Sequence, residues 1–121
     1  MARTIPASER MMVMNTNVMG ALAEPNRMQI VELLRESPLT VGEIAQRLQM
    51  RQPQVSKHLR VLSEAGIVEA QVDANRRIYS LRPEPFRALD DWLKTYRVIW
   101  ECRFDRLDDY LQKLQGKKPQ I

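Results

Sequence analysis

A mainly α fold carrying one small β-hairpin is predicted for this 121-residue chain, and three observations predict it. Seven prolines fall at positions 6, 25, 38, 53, 83, 85 and 119, mostly where a helix would begin, because proline fits the first helical turn and spoils the interior. From Ile67 the pattern changes to a period of two: Val68, Ala70 and Val72 alternate with Glu69 and Gln71, then Arg77, Tyr79 and Leu81 with Ile78 and Ser80. After Pro85, Phe86, Leu89, Leu93, Tyr96, Trp100, Phe104, Leu107, Leu111 and Leu114 recur at gaps of three and four, as on one face of a long helix. The length allows one ordinary domain, here 11–115, between a polar, mobile N-terminus (1–10) and a short tail (116–121).

The first helix is expected over 11–22, with Met11, Met14, Val18, Met19 and Leu22 at helical spacing and the methionines packing. Met11, Met12 and Met14 are alternative translation starts to Met1. Arg3, Arg10, the methionines and Ala21-Leu22-Ala23 loosely mimic a signal peptide, but Asn15-Thr16-Asn17 breaks the apolar run. No stretch approaches the ~20 apolar residues of a membrane span. With a single cysteine, Cys102, nothing indicates an oxidising compartment, and a cytoplasmic protein without membrane contact is expected.

A second helix starts at Pro25 and runs to about Glu36, with Met28, Ile30, Val31, Leu33 and Leu34 inward. Ser37-Pro38-Leu39-Thr40 breaks it. Thr40 and Glu43 then have the spacing of a capping box, and Leu39 and Ile44 that of a hydrophobic staple, at the start of a short helix 41–48 with Val41, Ile44, Ala45 and Leu48 on one face. After the turn Gln49-Met50-Arg51, Pro53 opens a helix to residue 65, and Gly66 is placed as its left-handed terminator. Two short helices across a tight turn form a helix-turn-helix. The hairpin tip, Asp73-Ala74-Asn75-Arg76, lacks glycine and predicts a loop of three to five residues. Helices plus hairpin make a winged helix-turn-helix.

The final helix, 85–114, would be about 45 Å long at 1.5 Å per residue. A domain this small cannot cover it, so a homodimer through the first and last helices is expected, with Met14, Val18, Met19, Leu89, Leu93, Tyr96, Trp100, Phe104, Leu107 and Leu111 at the interface. Cys102, beside Trp100, reads as a small buried apolar residue without a redox partner.

The formal charge is +4, and its placement matters more than its size. Residues 44–82 carry seven basic against three acidic side chains, whereas 84–113 carry six against seven. The excess therefore lies on the helix-turn-helix and hairpin, where phosphate neutralisation would act. On the helix from Pro53, Val55, Leu59 and Leu62 share one side while Gln54, Ser56, Lys57 and Arg60 face away, and these are side chains that read base edges and grip phosphates. Double-stranded DNA is the expected partner, with Arg47, Arg51, Arg76 and Arg77 flanking that face. His58, about 60° from the apolar centre of its helix, reads as a boundary group that packs and touches phosphate. With one His and four Gly the chain has no glycine-rich phosphate loop or multi-histidine metal cage, and its acids pair with no nucleophile; no enzyme, metal or cofactor is expected. The alternative from another class is a winged-helix module whose basic face meets an acidic protein.

Two segments, Ala-Leu-Ala-Glu-Pro-Asn-Arg-Met-Gln-Ile-Val-Glu-Leu-Leu (21–34) and Gln-Pro-Gln-Val-Ser-Lys-His-Leu-Arg-Val-Leu-Ser-Glu-Ala-Gly-Ile-Val (52–68), resemble the ArsR/SmtB winged-helix repressors. The resemblance spans roughly residues 18–82. It implies a homodimer joined through the first and last helices, a recognition helix from Gln52 to Ser63 that adds Gln52 to the DNA-contacting set, a wing, and repression of a nearby operon relieved by an effector. The departures matter equally. Where arsenic and cadmium sensors of that family place Cys-x-Cys, this chain has Thr40 and Gly42, and its last helix lacks the histidines of the zinc sensors. Metal sensing is not implied. The ending 92–111 looks like the metal-independent members with a long aromatic C-terminal helix, which leaves room for a small-molecule inducer that the sequence does not name.

Overall fold

The structure, a computed structural model, describes residues 4–115. Its elements in chain order are α1 (Ala7–Leu22), α2 (Pro25–Leu34), β1 (Leu39–Thr40), α3 (Val41–Leu48), α4 (Gln52–Glu64), β2 (Val68–Asp73), β3 (Arg76–Leu81) and α5 (Pro83–Leu114). They fall into two units, one ending at Ala88 and one beginning at Leu89.

In the first unit, α1 begins at Ala7, so residues 7–10 are helical where a mobile segment was expected. Pro6 supplies the boundary, its carbonyl accepting the Arg10 N–H at 3.0 Å, and Glu9 places an acid in the first turn, where the helix dipole favours it. Met11, Met14 and Met19 are exposed, whereas Val18 is buried in its own unit and is a core residue of the protomer. Glu24 caps α2, its carboxylate accepting the Arg27 N–H at 3.0 Å, and the Arg27 Nε donates to the Ala21 carbonyl at 2.6 Å, which ties α2 to the end of α1. α2 stops at Leu34, two residues before the expected end, and Met28 is exposed rather than inward. Met28 lies roughly 110° round the helix from the arc of Ile30, Val31 and Leu34 that is buried.

α3 has the expected bounds, and the capping box closes on both sides: the Thr40 hydroxyl accepts the Glu43 N–H at 3.2 Å while the Glu43 carboxylate accepts the Thr40 N–H at 3.1 Å. Leu39 and Ile44, the staple positions, are both buried. Ile30, Ile44, Val55, Leu59, Leu62 and Ile67 form the driest part of the core, where α2, α3 and α4 pack on one another.

The sheet has the order β1-β3-β2 and is antiparallel throughout. β1, two residues long, is too short to show a period in sequence; it pairs Leu39 with Tyr79 and Thr40 with Ile78. β2 and β3 stay in register from Val68↔Leu81 to Asp73↔Arg76, so the turn is two residues, Ala74-Asn75, and not the longer loop expected. Ala74 accepts the positive φ, 56°, that such a turn demands and that glycine would ordinarily supply. Of β2 only Val68 is buried, and Val72 is 72% exposed: the hairpin projects past the core, so its alternation does not sort an inner from an outer face.

α5 starts two residues before the expected Pro85, at Pro83. In the second unit it is a single helix on which Leu93, Tyr96, Trp100, Phe104, Leu107 and Leu111 are all exposed. Trp92 and Tyr96 meet edge to face at 5.2 Å between centroids. Cys102 is exposed, against the expectation of burial, because no second layer of this unit covers the helix. The expected 116–121 tail lies outside the described residues, as do residues 1–3 of the N-terminal segment.

Candidate nucleic-acid interface

α3 and α4 are joined by a turn in which Gln49 takes the left-handed conformation, φ 54°, and the Met50 N–H returns to the Ala45 carbonyl at 3.0 Å. The close approach of the two helices shows at Gly42, where an added Cβ would stand 3.5 Å from the Gln52 side-chain nitrogen. Gln52, the first residue of α4, is exposed beside that approach. Val55, Leu59 and Leu62 anchor one side of α4 in the core, and this fixes the opposite side, with Gln54, Ser56, Lys57 and Arg60, in solvent. Arg47, in the last turn of α3, and Arg51, at the N-cap of α4, are exposed beside it. Arg76 and Arg77 open β3 and are exposed near the tip of the wing.

Three of these basic groups, Arg60, Arg47 and Arg76, have acidic neighbours. The Arg60 Nε donates to Glu64 at 3.3 Å across one helical turn. Glu43 is held below the ordinary glutamate range, chiefly by the hydrogen bonds from the Thr40 backbone and hydroxyl, with smaller help from the positive charges of Arg47 and Arg76. A half-open cleft of about 450 Å³ separates α4 from the wing, lined by Ser56, Arg60 and Ser63 of α4, Arg77 and Tyr79 of β3, and Val41 of α3.

Residues 24–70 match the model of a family described as bacterial regulatory protein, arsR family. An HTH-type transcriptional regulator of Mycobacterium tuberculosis is 45% identical over 69 residues, 57% of this chain and 64% of that protein. A biofilm growth-associated repressor of Agrobacterium fabrum is 35% identical over 77 residues, 64% of this chain and 66% of that protein. The chain thus spans just under two thirds of the length of these two relatives. The crystal structure of an ArsR family transcriptional regulator superposes with a TM-score of 0.66 at 30% identity, covering 73% of this chain and 97% of that one. The chain belongs to the ArsR family. A second solved structure, a homodimeric winged helix-turn-helix DNA-binding domain from Mycobacterium bovis described as a possible ArsR-family regulator, gives 0.63 at 27% identity over 79% of this chain and 92% of that one.

Within this ArsR-family fold, Gln54, Ser56, Lys57 and Arg60 share the exposed side of α4, and Arg47, Arg51, Arg76 and Arg77 are exposed around it. His58 is half-buried at the boundary of the core, and its Nδ1 stands 3.8 Å from the carboxylate of Glu24, the residue that caps α2. It packs α4 against α2. Of Thr40 and Gly42, which stand where metal-sensing members carry Cys-x-Cys, Thr40 is committed here to the capping box and Gly42 lies in the first turn of α3. Among the described residues no group of His, Cys, Asp and Glu is arranged to hold a metal ion, and no helix is long and apolar enough to cross a membrane. Ser63 and Tyr79 were missed. Ser63 follows Ser56 and Arg60 at gaps of four and three, which the helical wheel reveals; Tyr79 stands in the hairpin's alternation, and its place at the cleft depends on the β1–β3 pairing.

Proposed function

We propose that this ArsR-family chain is a homodimeric, sequence-specific DNA-binding transcriptional regulator that represses by occupying a palindromic operator. The observation that carries the reading is the exposed face of α4: Gln54, Ser56, Lys57 and Arg60 stand clear of a helix whose other side is locked into the core, with wing arginines beside it. Such a helix enters a major groove, where Gln and Arg read base edges and Lys neutralises phosphate. The wing, 67–82, lies along the flanking backbone. The winged domain, residues 11–115, dimerises through helices 11–22 and 85–114, which sets the two recognition helices about 34–36 Å apart, one turn of DNA. The protein works in the cytoplasm with its promoter, and any inducer is a small molecule rather than a metal ion. The alternative of a protein-interaction module finds no support in relatives named as transcriptional regulators.

Fluorescence anisotropy with duplex DNA from upstream of the protein's own reading frame tests this. Arg60→Ala or Gln54→Ala weakens operator binding by about 1–3 kcal/mol and relaxes preference at one base pair, whereas Arg76→Ala lowers affinity for every sequence and flattens the salt dependence. Unchanged binding for all three variants overturns the docking. In a promoter-reporter assay the protein lowers transcription; a rise would refute repression.

A further inference from the structure

We infer that the cleft where α1, the end of α4 and the start of α5 meet is a binding site for a small organic cation, an ammonium or amidinium on a short apolar body, whose occupancy tightens operator binding. The site itself stands apart from the DNA-binding reading; only its effect on the operator rests on that reading. Asn17 and Val18 of α1, Glu64 and Ala65 at the end of α4, and Glu84 and Pro85 in the first turn of α5 line the cleft, which holds about 230 Å³. That is less than the roughly 300–1,000 Å³ of a pocket for a drug-sized molecule, so the occupant is small.

Charge fixes the sign of the occupant. Around the cleft three carboxylates meet two guanidiniums: Glu64 pairs with Arg60 at 3.3 Å, and Arg82 is shared between Glu84 at 3.6 Å and Glu69 at 4.0 Å. One negative charge is left over. The end of α4 adds to it, because the last turn of that helix carries no basic residue to offset the negative end of its dipole. A cation is drawn to this excess and an anion repelled, and the Asn17 amide oxygen offers one more acceptor. Val18 and Pro85 are buried and Ala65 is half-buried, so apolar surface receives the body of the ligand. Seated on Glu64, the cation neutralises a carboxylate of the proposed recognition helix and adds its own positive charge there, which favours DNA. Met14 also lines the cleft and belongs to the proposed dimer interface, so the ligand joins α4 to a helix through which the copies meet.

The test uses the full chain and three probes of similar shape, benzylammonium, benzyl alcohol and benzoate, at matched ionic strength. Calorimetry without DNA should show benzylammonium binding about tenfold or more tightly than benzyl alcohol, and no binding of benzoate. Ala65→Leu, which fills the cleft without a change of charge, and Glu84→Gln should each lower that affinity about tenfold. Glu36→Gln, the same change of charge at an exposed position after α2, should alter it less than about twofold. Thermal melting shows whether Ala65→Leu is folded; if it is not, Glu84→Gln decides alone. Equal binding of benzylammonium and benzyl alcohol, or wild-type affinity in the folded variants, overturns the site. In anisotropy with the upstream duplex, saturating benzylammonium should tighten binding by wild type about threefold and leave Ala65→Leu unchanged. No gain in wild type, or an equal gain in Ala65→Leu, overturns the effect on the operator. Wild-type protein that binds no duplex at low salt overturns the DNA reading, and calorimetry still decides the site.

Discussion

Glu64 competes with DNA for Arg60. The two side chains meet at 3.3 Å on the exposed face of α4, and an ion pair this open contributes less than about 1 kcal/mol to stability. Glu64→Gln should therefore leave the melting temperature nearly unchanged and tighten operator binding up to about fivefold, by freeing the guanidinium and removing a negative charge from the DNA-facing side. Weaker binding, measured by anisotropy at low salt, would show that Glu64 positions Arg60 rather than competing for it. Glu43 gives a pH signature. Its folded-state pKa is depressed because the ionised carboxylate accepts the Thr40 N–H and hydroxyl, so the stability it adds is complete above the ordinary glutamate value and is lost as pH falls through the lower folded value. The melting advantage of wild type over Glu43→Gln should hold at neutral pH and shrink below about pH 4. An advantage independent of pH would mean that the capping carboxylate does not titrate differently on folding.

Helix ends decide how the elements join. Gly66 follows α4 with φ 76°, and an added Cβ there meets nothing within 4 Å, so Gly66→Ala costs backbone strain alone, about 1 kcal/mol. Gln49 ends α3 in the same left-handed region without being glycine, so Gln49→Gly should be stabilising, by about 0.5 kcal/mol once the greater freedom of the unfolded chain is deducted. Urea unfolding of the two variants should show opposite signs. The same sign would mean that contacts, not backbone conformation, set these turns. Gly66 was legible as a terminator because glycine advertises the conformation; Gln49 and Ala74 adopt it without any such mark, and the wing turn was accordingly misjudged.

At the scale of the whole molecule the long helix is the unsatisfied part. Trp100 is 47% and Phe104 66% exposed on a stripe with Leu93, Leu107 and Leu111, an apolar surface that a single copy leaves in water. In the proposed dimer this stripe meets its partner, and sedimentation should show a dimer at micromolar concentration whose melting temperature rises with concentration. Trp100→Glu with Leu107→Glu should give monomers and weaken operator binding about a hundredfold or more, since each half-site would then be bound alone. A double variant that sediments as a dimer would place the interface elsewhere. Exposure of Cys102 fits the same picture: what reads as a buried residue in sequence has nothing in its own unit to bury it.

Local chemistry determined most of the protein by itself. Prolines and caps placed the helices to within a few residues, Val55, Leu59 and Leu62 fixed which side of α4 is free, and the uneven spread of charge singled out the helix-turn-helix and wing, because each of these is a short-range property of spacing and residue type. Tertiary structure alone decided what depends on partners distant in the chain. β1 exists only because β3 lies beside it, His58 turns to Glu24 because α2 packs there, Val18 is core while Met14 is not, and Ser63 and Tyr79 share a cleft because the sheet brings the wing to α4. No period or motif encodes those meetings; they follow from how the elements bury their apolar faces against one another.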